Sequence, residues 1–250
     1  MGIIIKSPNE INIMRQAGRI VAAILAALNK EIRPGIDTGT LDAIAKRMFQ
    51  EYGARASFKG YRGFPASICT SVNEEVVHGR PGGRVLQEGD VIAIDVGAIY
   101  NGFQGDAAIT VGVGKVSPEA KRLIDTARRS LEAGIAAARE GAHLSDISAA
   151  IQFHAESAGF SPVRQYAGHG IGREMHEKPQ IPNFGPPGKG PVLKRGMTLA
   201  LEPMINAGGW ATKVLPDGWT VVTADGSLSA HFEHTIAVTN GVAEILTVDE

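Results

Sequence analysis

The sequence predicts an α+β fold in which one antiparallel sheet carries helices on its outer face. Apolar residues recur at helical spacing in four segments, and several shorter apolar segments are typical of strands. The third observation is an internal duplication, because landmarks of the first half recur in the same order in the second half. Two such halves would join their strands into a single sheet. The repeated landmarks are Ser7-Pro8 with Ser117-Pro118, and Gly35, Leu41 and Gly53 with Gly141, Ile147 and Gly159 at one constant offset.

Two predicted helices open each half. Ser7 is a good N-cap, with Pro8 at the first helical position and Glu10 at the third, and the apolar periodicity continues to Leu28. Pro34-Gly35 ends this helix. Further helices are expected at about 38–53, 117–141 and 145–159, and strands within or near 67–72, 196–205, 219–223 and 231–239. The segments 54–88 and 162–195 are rich in glycine and proline, which is typical of loops.

The stretch 89–114 predicts a β-hairpin that carries two carboxylates. Asp95 ends an apolar run, Asp106 opens a second one, and Asn101-Gly102 between them is a strong hairpin signal. With a two-residue turn, Asp95 lies diagonal to Asp106 on one face. A loop one pair longer would set them directly opposite, and a single-residue bulge would separate the faces. The same pattern recurs in the second half with Glu202 and Glu233.

Length and composition are those of a globular chain. The 250 residues are 44% hydrophobic and 20% charged, which suits a single domain over 1–250 with internal halves at about 7–114 and 117–241. The net charge of -1 gives no signal for nucleic-acid binding. One cysteine excludes an internal disulfide, and the longest apolar run, Ile20 to Leu28, is too short to cross a bilayer. We therefore expect a soluble cytoplasmic protein without a membrane partner. We also expect a monomer, although these observations do not themselves give the oligomeric state.

Four carboxylates and one histidine form the candidate reaction centre. Carboxylates that converge repel each other unless they share protons or a cation. His169 lies between glycines that let the backbone approach closely, and it completes a nitrogen and oxygen donor set suited to Mn, Fe, Co or Zn. Five donors are about right for two divalent ions with a bridging water. The candidate ligands are Asp95, Asp106, His169, Glu202 and Glu233.

Five motifs carry a resemblance to a known family. They are VVHGRP (76–81), AIDVGAIYNGFQGDAAIT (93–110), GHGIGREMHEKP (168–179), LALEPM (199–204) and AHFEHT (230–235). With them the sequence resembles the type I methionine aminopeptidases of bacteria over essentially the whole chain. The resemblance implies the pita-bread (creatinase/aminopeptidase-like) fold with its pseudo-two-fold repeat. It also implies that Asp106 and Glu233 bridge two metal ions, that Asp95 binds one ion, and that His169 and Glu202 bind the other.

The resemblance also implies roles for residues around the metals. A metal-bridging hydroxide would attack the carbonyl of an N-terminal methionine. His78 would meet the scissile amide or the developing amine, His176 would hydrogen-bond the carbonyl oxygen, and Glu202 would relay the proton. His231 departs from the many members that have glutamine there, and it can alter the surroundings of Glu233. The wall of the methionine pocket would include Phe58, Tyr61, Phe64, Cys69, Met175 and Trp219.

The implied function is removal of the initiator methionine from nascent proteins, mainly when the second residue is small, in the cytoplasm and near the ribosome. Two alternative functions and one alternative subtype are disfavoured. A proline-specific peptidase of the same fold is disfavoured because we expect no separate domain before the first helix. A non-catalytic binding module is disfavoured because all five ligands are present. Type II enzymes are disfavoured because the segments between His169, Glu202 and Glu233 carry no long insertion.

Overall fold

The helices form where the sequence predicts them. The computed structural model describes residues 2–248. α1 begins with the predicted capping box, because Ser7 Oγ accepts from Glu10 N and the Glu10 carboxylate accepts from Ser7 N. In the second half, Ser117 Oγ accepts from Ala120 N at 3.1 Å, so the cap is duplicated with the repeat. The described helices are α1 (Pro8–Glu31), α2 (Thr38–Glu51), α3 (Pro118–Ala137) and α4 (Leu144–Ser157).

The strands form one large antiparallel sheet and two small ones. They are β1 (Arg55–Ala56), β2 (Cys69–Val72), β3 (Glu75–Val77), β4 (Val91–Tyr100), β5 (Phe103–Gly112), β6 (Ser161–Pro162), β7 (Ala167–Gly170), β8 (Glu177–Pro182), β9 (Thr198–Leu201), β10 (Met204–Asn206), β11 (Thr212–Val214), β12 (Val221–Thr223), β13 (Ser229–His231), β14 (Glu233–Ala237) and β15 (Glu244–Ile245). The large sheet runs β1-β4-β5-β14-β9-β7-β8, with β2 also on β4 and β15 also on β14. The small sheets run β13-β10-β6 and β11-β12-β3. Because β5 pairs with β14, the two halves share one sheet, as the duplication predicts.

Two strands that the sequence predicts as continuous are interrupted beside acidic residues. The predicted strand 196–205 divides into β9 and β10 around Glu202-Pro203, because proline has no N–H to continue a ladder. The predicted strand 231–239 divides into β13 and β14 around Phe232, where the chain passes from a small sheet to the large one. These breaks place Glu202 and Glu233 at strand ends, where the backbone is not held on both sides by a continuous ladder of hydrogen bonds.

Two apolar clusters lie between the helices and the large sheet, one for each half. Ile94, Val96 and Ala107 of β4 and β5 belong to the first cluster together with residues of α1 and α2. The second cluster joins residues of α3 and α4 with residues of β9 and β14. Because side chains alternate along a strand, Asp95 and Asp106 point to the face opposite these apolar neighbours. The sheet therefore presents its carboxylates on the side away from the helices.

α1 is by length and composition apolar enough to cross a membrane, although its longest uninterrupted apolar run is short. In the fold, Met14, Val21 and Leu28 are fully buried, and α1 contacts β4 and β5. α1 also lies close to the segment after β15, since a Cβ at Gly18 would overlap the carbonyl oxygen of Leu246. The apolar face of α1 is thus used in the core.

Candidate metal centre and substrate pocket

The β4–β5 hairpin sets the spacing of the first two carboxylates. Its turn, Asn101-Gly102, has φ values of 48° and 79°, as a two-residue type I′ turn requires. This turn places Gly97 opposite Asp106, so that Asp95 lies diagonal to Asp106 on the same face. The diagonal arrangement predicted for a two-residue turn is confirmed.

The second half brings two glutamates and a histidine to the same place. β14 pairs with β5 so that Glu233 lies opposite Ala108, two residues from Asp106. His169 lies on β7 beside β9, and Glu202 directly follows β9. Asp106, His169 and Glu233 each offer a ligand atom within 4.8 Å of the other two. His169 Nε2 lies 3.5 Å from Glu202 Oε1, and one cavity is lined by all five predicted ligands.

Buried oxygen atoms without partners indicate that these side chains fit a cation. Asp95 Oδ1, Asp106 Oδ1 and Glu233 Oε1 are shielded from solvent and have no hydrogen-bond partner among residues 2–248. Burial raises the pKa of Asp95 to about 7. The pKa values of Asp106, Glu202 and Glu233 lie well above their usual range. Burial is the largest cause, and repulsion from neighbouring carboxylates is the next. A metal cation would supply the positive charge that keeps this group ionised at neutral pH.

His169 is suited to ligation as a neutral imidazole. Burial lowers its pKa to about 4. Its Nδ1 lies 2.9 Å from Gly170 O, and because a carbonyl oxygen only accepts, Nδ1 carries the proton. Nε2, which faces the carboxylates, then keeps its lone pair for a metal ion. The resulting nitrogen and oxygen set matches the donor chemistry expected from the sequence.

Two histidines that are not candidate ligands, His78 and His176, line the same cavity. The His176 ring centroid lies 4.2 Å from that of His169, and its Nδ1 lies 2.9 Å from the Tyr61 hydroxyl. When Tyr61 donates to Nδ1, Nε2 of His176 carries an N–H that can be aimed at a substrate oxygen. Burial lowers the pKa of His176, and Arg62 nearby lowers it further.

His78 is held in a strained backbone conformation. Its φ is 59°, which is uncommon for a residue other than glycine and is frequent at functional sites. Its ring packs edge-on against Tyr166 with centroids 5.9 Å apart. Burial lowers the pKa of His78 to about 4, so that its imidazole is neutral at pH 7.

An apolar pocket adjoins the carboxylates, and the structure brings all six predicted wall residues into it. Phe64 and Trp219 meet edge to face at 5.1 Å, and the cavity measures about 160 Å³. Cys69 lies opposite Asp95 across β2 and β4. Burial raises the pKa of its thiol well above the usual range, so Cys69 serves as a small apolar wall rather than a nucleophile. The cluster comprises Phe58, Phe64, Ala66, Cys69 and Met175, with Tyr61 and Trp219 packed against it.

Residues that the sequence reasoning missed also contact this site. Arg62 lines the cavity, and its guanidinium lies 5.4 Å from the Tyr61 ring centroid. Tyr166 packs on His78, and its position three residues before His169 is the only sequence signal for it. The predicted proximity of His231 to Glu233 is confirmed, with Nε2 lying 3.8 Å from Oε2. Burial lowers the pKa of His231 to about 3, so it brings no charge to the carboxylates at neutral pH.

Comparison with known proteins agrees with this geometry. The model of metallopeptidase family M24 matches residues 12–240. The chain belongs to metallopeptidase family M24. It is 56% identical over 245 residues to methionine aminopeptidase 1 of Bacillus subtilis. The alignment covers 98% of this chain and 99% of the relative. The chain is 53% identical over 249 residues to the methionine aminopeptidase of Clostridium acetobutylicum, covering 99% of this chain and 100% of the relative.

Solved structures extend the comparison to the fold. The methionine aminopeptidase of Thermotoga maritima superposes with a TM-score of 0.98 at 48% identity, covering 99% of this chain and 100% of that one. The prolidase of Pyrococcus furiosus superposes with a TM-score of 0.79 at 22% identity, and this chain spans 66% of its length. The second likeness shows the pita-bread fold alone. The predicted fold and the predicted resemblance to bacterial methionine aminopeptidases are confirmed.

Proposed function

We propose that this chain is a metal-dependent aminopeptidase that removes N-terminal methionine by hydrolysis, mainly when the second residue is small. One observation carries the proposal: the five candidate metal ligands and the apolar pocket residues line one cavity of about 160 Å³. A pocket of this size accepts one unbranched apolar side chain and brings the following amide against the ligands. Met175 and the aromatic wall suit a polarisable thioether. The relatives' names support the same substrate.

The proposed cofactor is a pair of divalent ions of the Mn, Fe, Co or Zn type. The resemblance to methionine aminopeptidases implies that Asp106 and Glu233, which lie on the paired strands β5 and β14, would serve both ions. Asp95 would complete one site, and His169 with Glu202 the other. The three buried carboxylate oxygens without partners support the presence of a cation among these side chains. When bound, such ions lower the pKa of water and polarise a carbonyl group.

Three side chains of the chain itself would act on the substrate. His176 would donate from Nε2 to the carbonyl oxygen as it gains negative charge. His78 would face the amide nitrogen, where a neutral imidazole can accept or donate a hydrogen bond. Glu202 would take up a proton during the attack and return it to the leaving amine. The apolar wall would exclude water from the methionine side chain while these steps occur.

The proposed substrates in the cell are the N-termini of nascent polypeptides, met by a monomer in the cytoplasm close to the ribosome. Support for this comes from the substrate itself, because the initiator methionine becomes accessible as a chain leaves the ribosome. Relatives named methionine aminopeptidase over the full chain length add to it.

Release of free methionine from tripeptides tests the proposal. Protein stripped with a chelator and reconstituted with Mn²⁺ or Co²⁺ should hydrolyse Met-Ala-Ser, and it should hydrolyse Met-Leu-Ser and Leu-Ala-Ser far more slowly. Calorimetric titration of Mn²⁺ should saturate at about two ions per chain. Faster cleavage of an X-Pro dipeptide than of Met-Ala-Ser would favour the prolidase-like alternative that shares this fold. Absence of divalent-ion binding would instead indicate a non-catalytic binding module.

A further inference from the structure

A buried ion pair joins the N-terminal segment to the turn that carries His176. Lys6 Nζ pairs with the Glu177 carboxylate, and the two side chains are only 3% and 6% exposed. The backbone N–H of Lys6 donates to Gly196 O at 2.8 Å, which fixes the segment against the start of β9. A Cβ at Gly172 would overlap both side chains of the pair, so this glycine leaves the space that the ion pair needs.

Glu177 also closes the turn that precedes it. Its Oε1 accepts from Arg173 N at 3.0 Å and from Glu174 N at 3.4 Å, while its Oε2 faces Lys6. Because β8 begins at Glu177, the carboxylate ties both ends of a turn in which Met175 and His176 are the intervening residues. One side chain therefore couples the Lys6 ammonium to the backbone that presents His176.

His176 depends on this turn for its direction. Within residues 2–248, the hydrogen bond shown for its ring is the one between Nδ1 and the Tyr61 hydroxyl. Tyr61 itself lies in a three-residue 3₁₀ turn in which Arg62 has a φ of 48°. The ring centroid lies 4.2 Å from that of His169, so a small shift of the turn changes where Nε2 points relative to the ligands.

We infer that the Lys6–Glu177 ion pair is a positioning device that holds the His176 imidazole in place for the proposed hydrolysis, an inference that rests on that function. Lys6 is absent from the cavity lining, so it acts through Glu177. Without the ammonium group, the carboxylate would be buried with no opposing charge, which is strongly unfavourable. It would turn toward water and release the amides of Arg173 and Glu174, and the turn would loosen.

Steady-state kinetics and amide exchange test this inference on the full-length, metal-loaded protein. Lys6→Met keeps the length of the side chain and removes its charge, and it should lower kcat for Met-Ala-Ser about 10-fold while KM changes less than about threefold. Hydrogen–deuterium exchange in a peptide covering 172–178 should become about 10-fold faster. Metal content should stay at the wild-type level. If Lys6→Met does not fold, Glu177→Gln replaces it in the same measurements, because it removes the charge of the ion pair and keeps an acceptor oxygen.

A double-mutant cycle separates positioning from general stability. In the His176→Ala background, Lys6→Met should lower kcat less than about twofold, because the group it positions is already gone. Glu244→Gln is the matched control, since it breaks the Arg15–Glu244 ion pair between α1 and β15 away from the cavity, and it should leave kcat and exchange at 172–178 unchanged.

Two outcomes would overturn the inference. One is an equal fractional loss of kcat with and without His176, and the other is a folded Lys6→Met protein with wild-type kcat and exchange. Failure of the wild-type protein to release methionine would refute the proposed function instead. The exchange measurement needs no turnover, so it would still report whether the ion pair orders the turn.

Discussion

Replacing Asp95 with asparagine should stabilise the metal-free protein and weaken its metal binding. Asp95 lines the cavity, and its Oδ1 has no partner among the described residues. Burial raises its pKa to about 7, whereas an unfolded chain leaves an aspartate near its ordinary value of about 4. The folded protein therefore binds this proton more tightly than the unfolded chain does. The resulting stability is fully present below about pH 4 and is lost as the pH rises through about 7.

The size of the effect follows from the two pKa values. A difference of about three units corresponds to about 4 kcal/mol at pH 8. Because Asp95 as a residue is only half-buried, we expect about half of this, ~2 kcal/mol, to remain after screening by solvent. Loss of the Asp95 charge also relieves repulsion at Asp106 and Glu233, in the same direction. For a chain of this length, ~2 kcal/mol raises Tm by about 4–8 °C.

Thermal denaturation with chelator at pH 5, 6.5 and 8 measures the difference. Metal-free Asp95→Asn should melt above metal-free wild type at pH 8, and the gap should shrink by more than half at pH 5. With Mn²⁺ at about 100 times its Kd, the wild type should gain about 2.7 kcal/mol, and the variant should gain less because an amide oxygen is a neutral ligand. Asp125→Asn, on the exposed face of α3, should show no such gain, since Arg128 already lowers the pKa of that carboxyl. A metal-free Asp95→Asn that melts at or below wild type at pH 8 would refute the reasoning.

Substitutions elsewhere test the remaining parts of the account. Asp106→Ala removes the ligand proposed to hold both ions, so methionine release and bound metal, measured by elemental analysis, should both be lost; full turnover would contradict the two-ion site. His176→Ala should lower kcat about 100-fold or more with unchanged metal content, as expected for loss of an oxyanion donor, whereas metal loss would mean that His176 is a ligand. Gly18→Ala pushes a Cβ onto the Leu246 carbonyl, and urea denaturation should show a loss of about 2 kcal/mol or more; unchanged stability would mean that α1 shifts without penalty.

The parts of the fold that sequence reasoning predicted are those with local signals. The caps at Ser7 and Ser117 are set by contacts three residues away, and the β4–β5 register is set by the Asn101-Gly102 turn. Duplication then extended the prediction, because a hairpin identified in one half indicated where its counterpart lies in the other. In this way the sequence predicts the positions of Glu202 and Glu233, although it does not predict where their strands end.

The parts that sequence reasoning missed are set by contacts between distant segments. Lys6 and Glu177 are 171 residues apart, and no periodicity relates them. Arg62 reaches the cavity because it has a left-handed φ within a short turn. Arginine in a sequence does not predict that backbone conformation. The division of 231–239 into two strands depends on which sheet each piece joins, and pairing partners are not written into a strand's own apolar pattern.

Duplication also explains why the candidate site is symmetric in its carboxylates and asymmetric in everything else. β5 and β14 are the adjacent central strands, so Asp106 and Glu233 lie nearest the pseudo-two-fold axis, and Asp95 and Glu202 lie outside them. Beyond these, β2 lies beside β4 as β7 lies beside β9. β7 contributes the imidazole of His169, whereas β2 contributes the uncharged thiol of Cys69 to the apolar wall. In the proposed function, a strand that would supply a metal ligand in one half corresponds to a strand that supplies pocket surface in the other. A bound methionine side chain would then lie beside Cys69, and its carbonyl would lie toward His169 and His176.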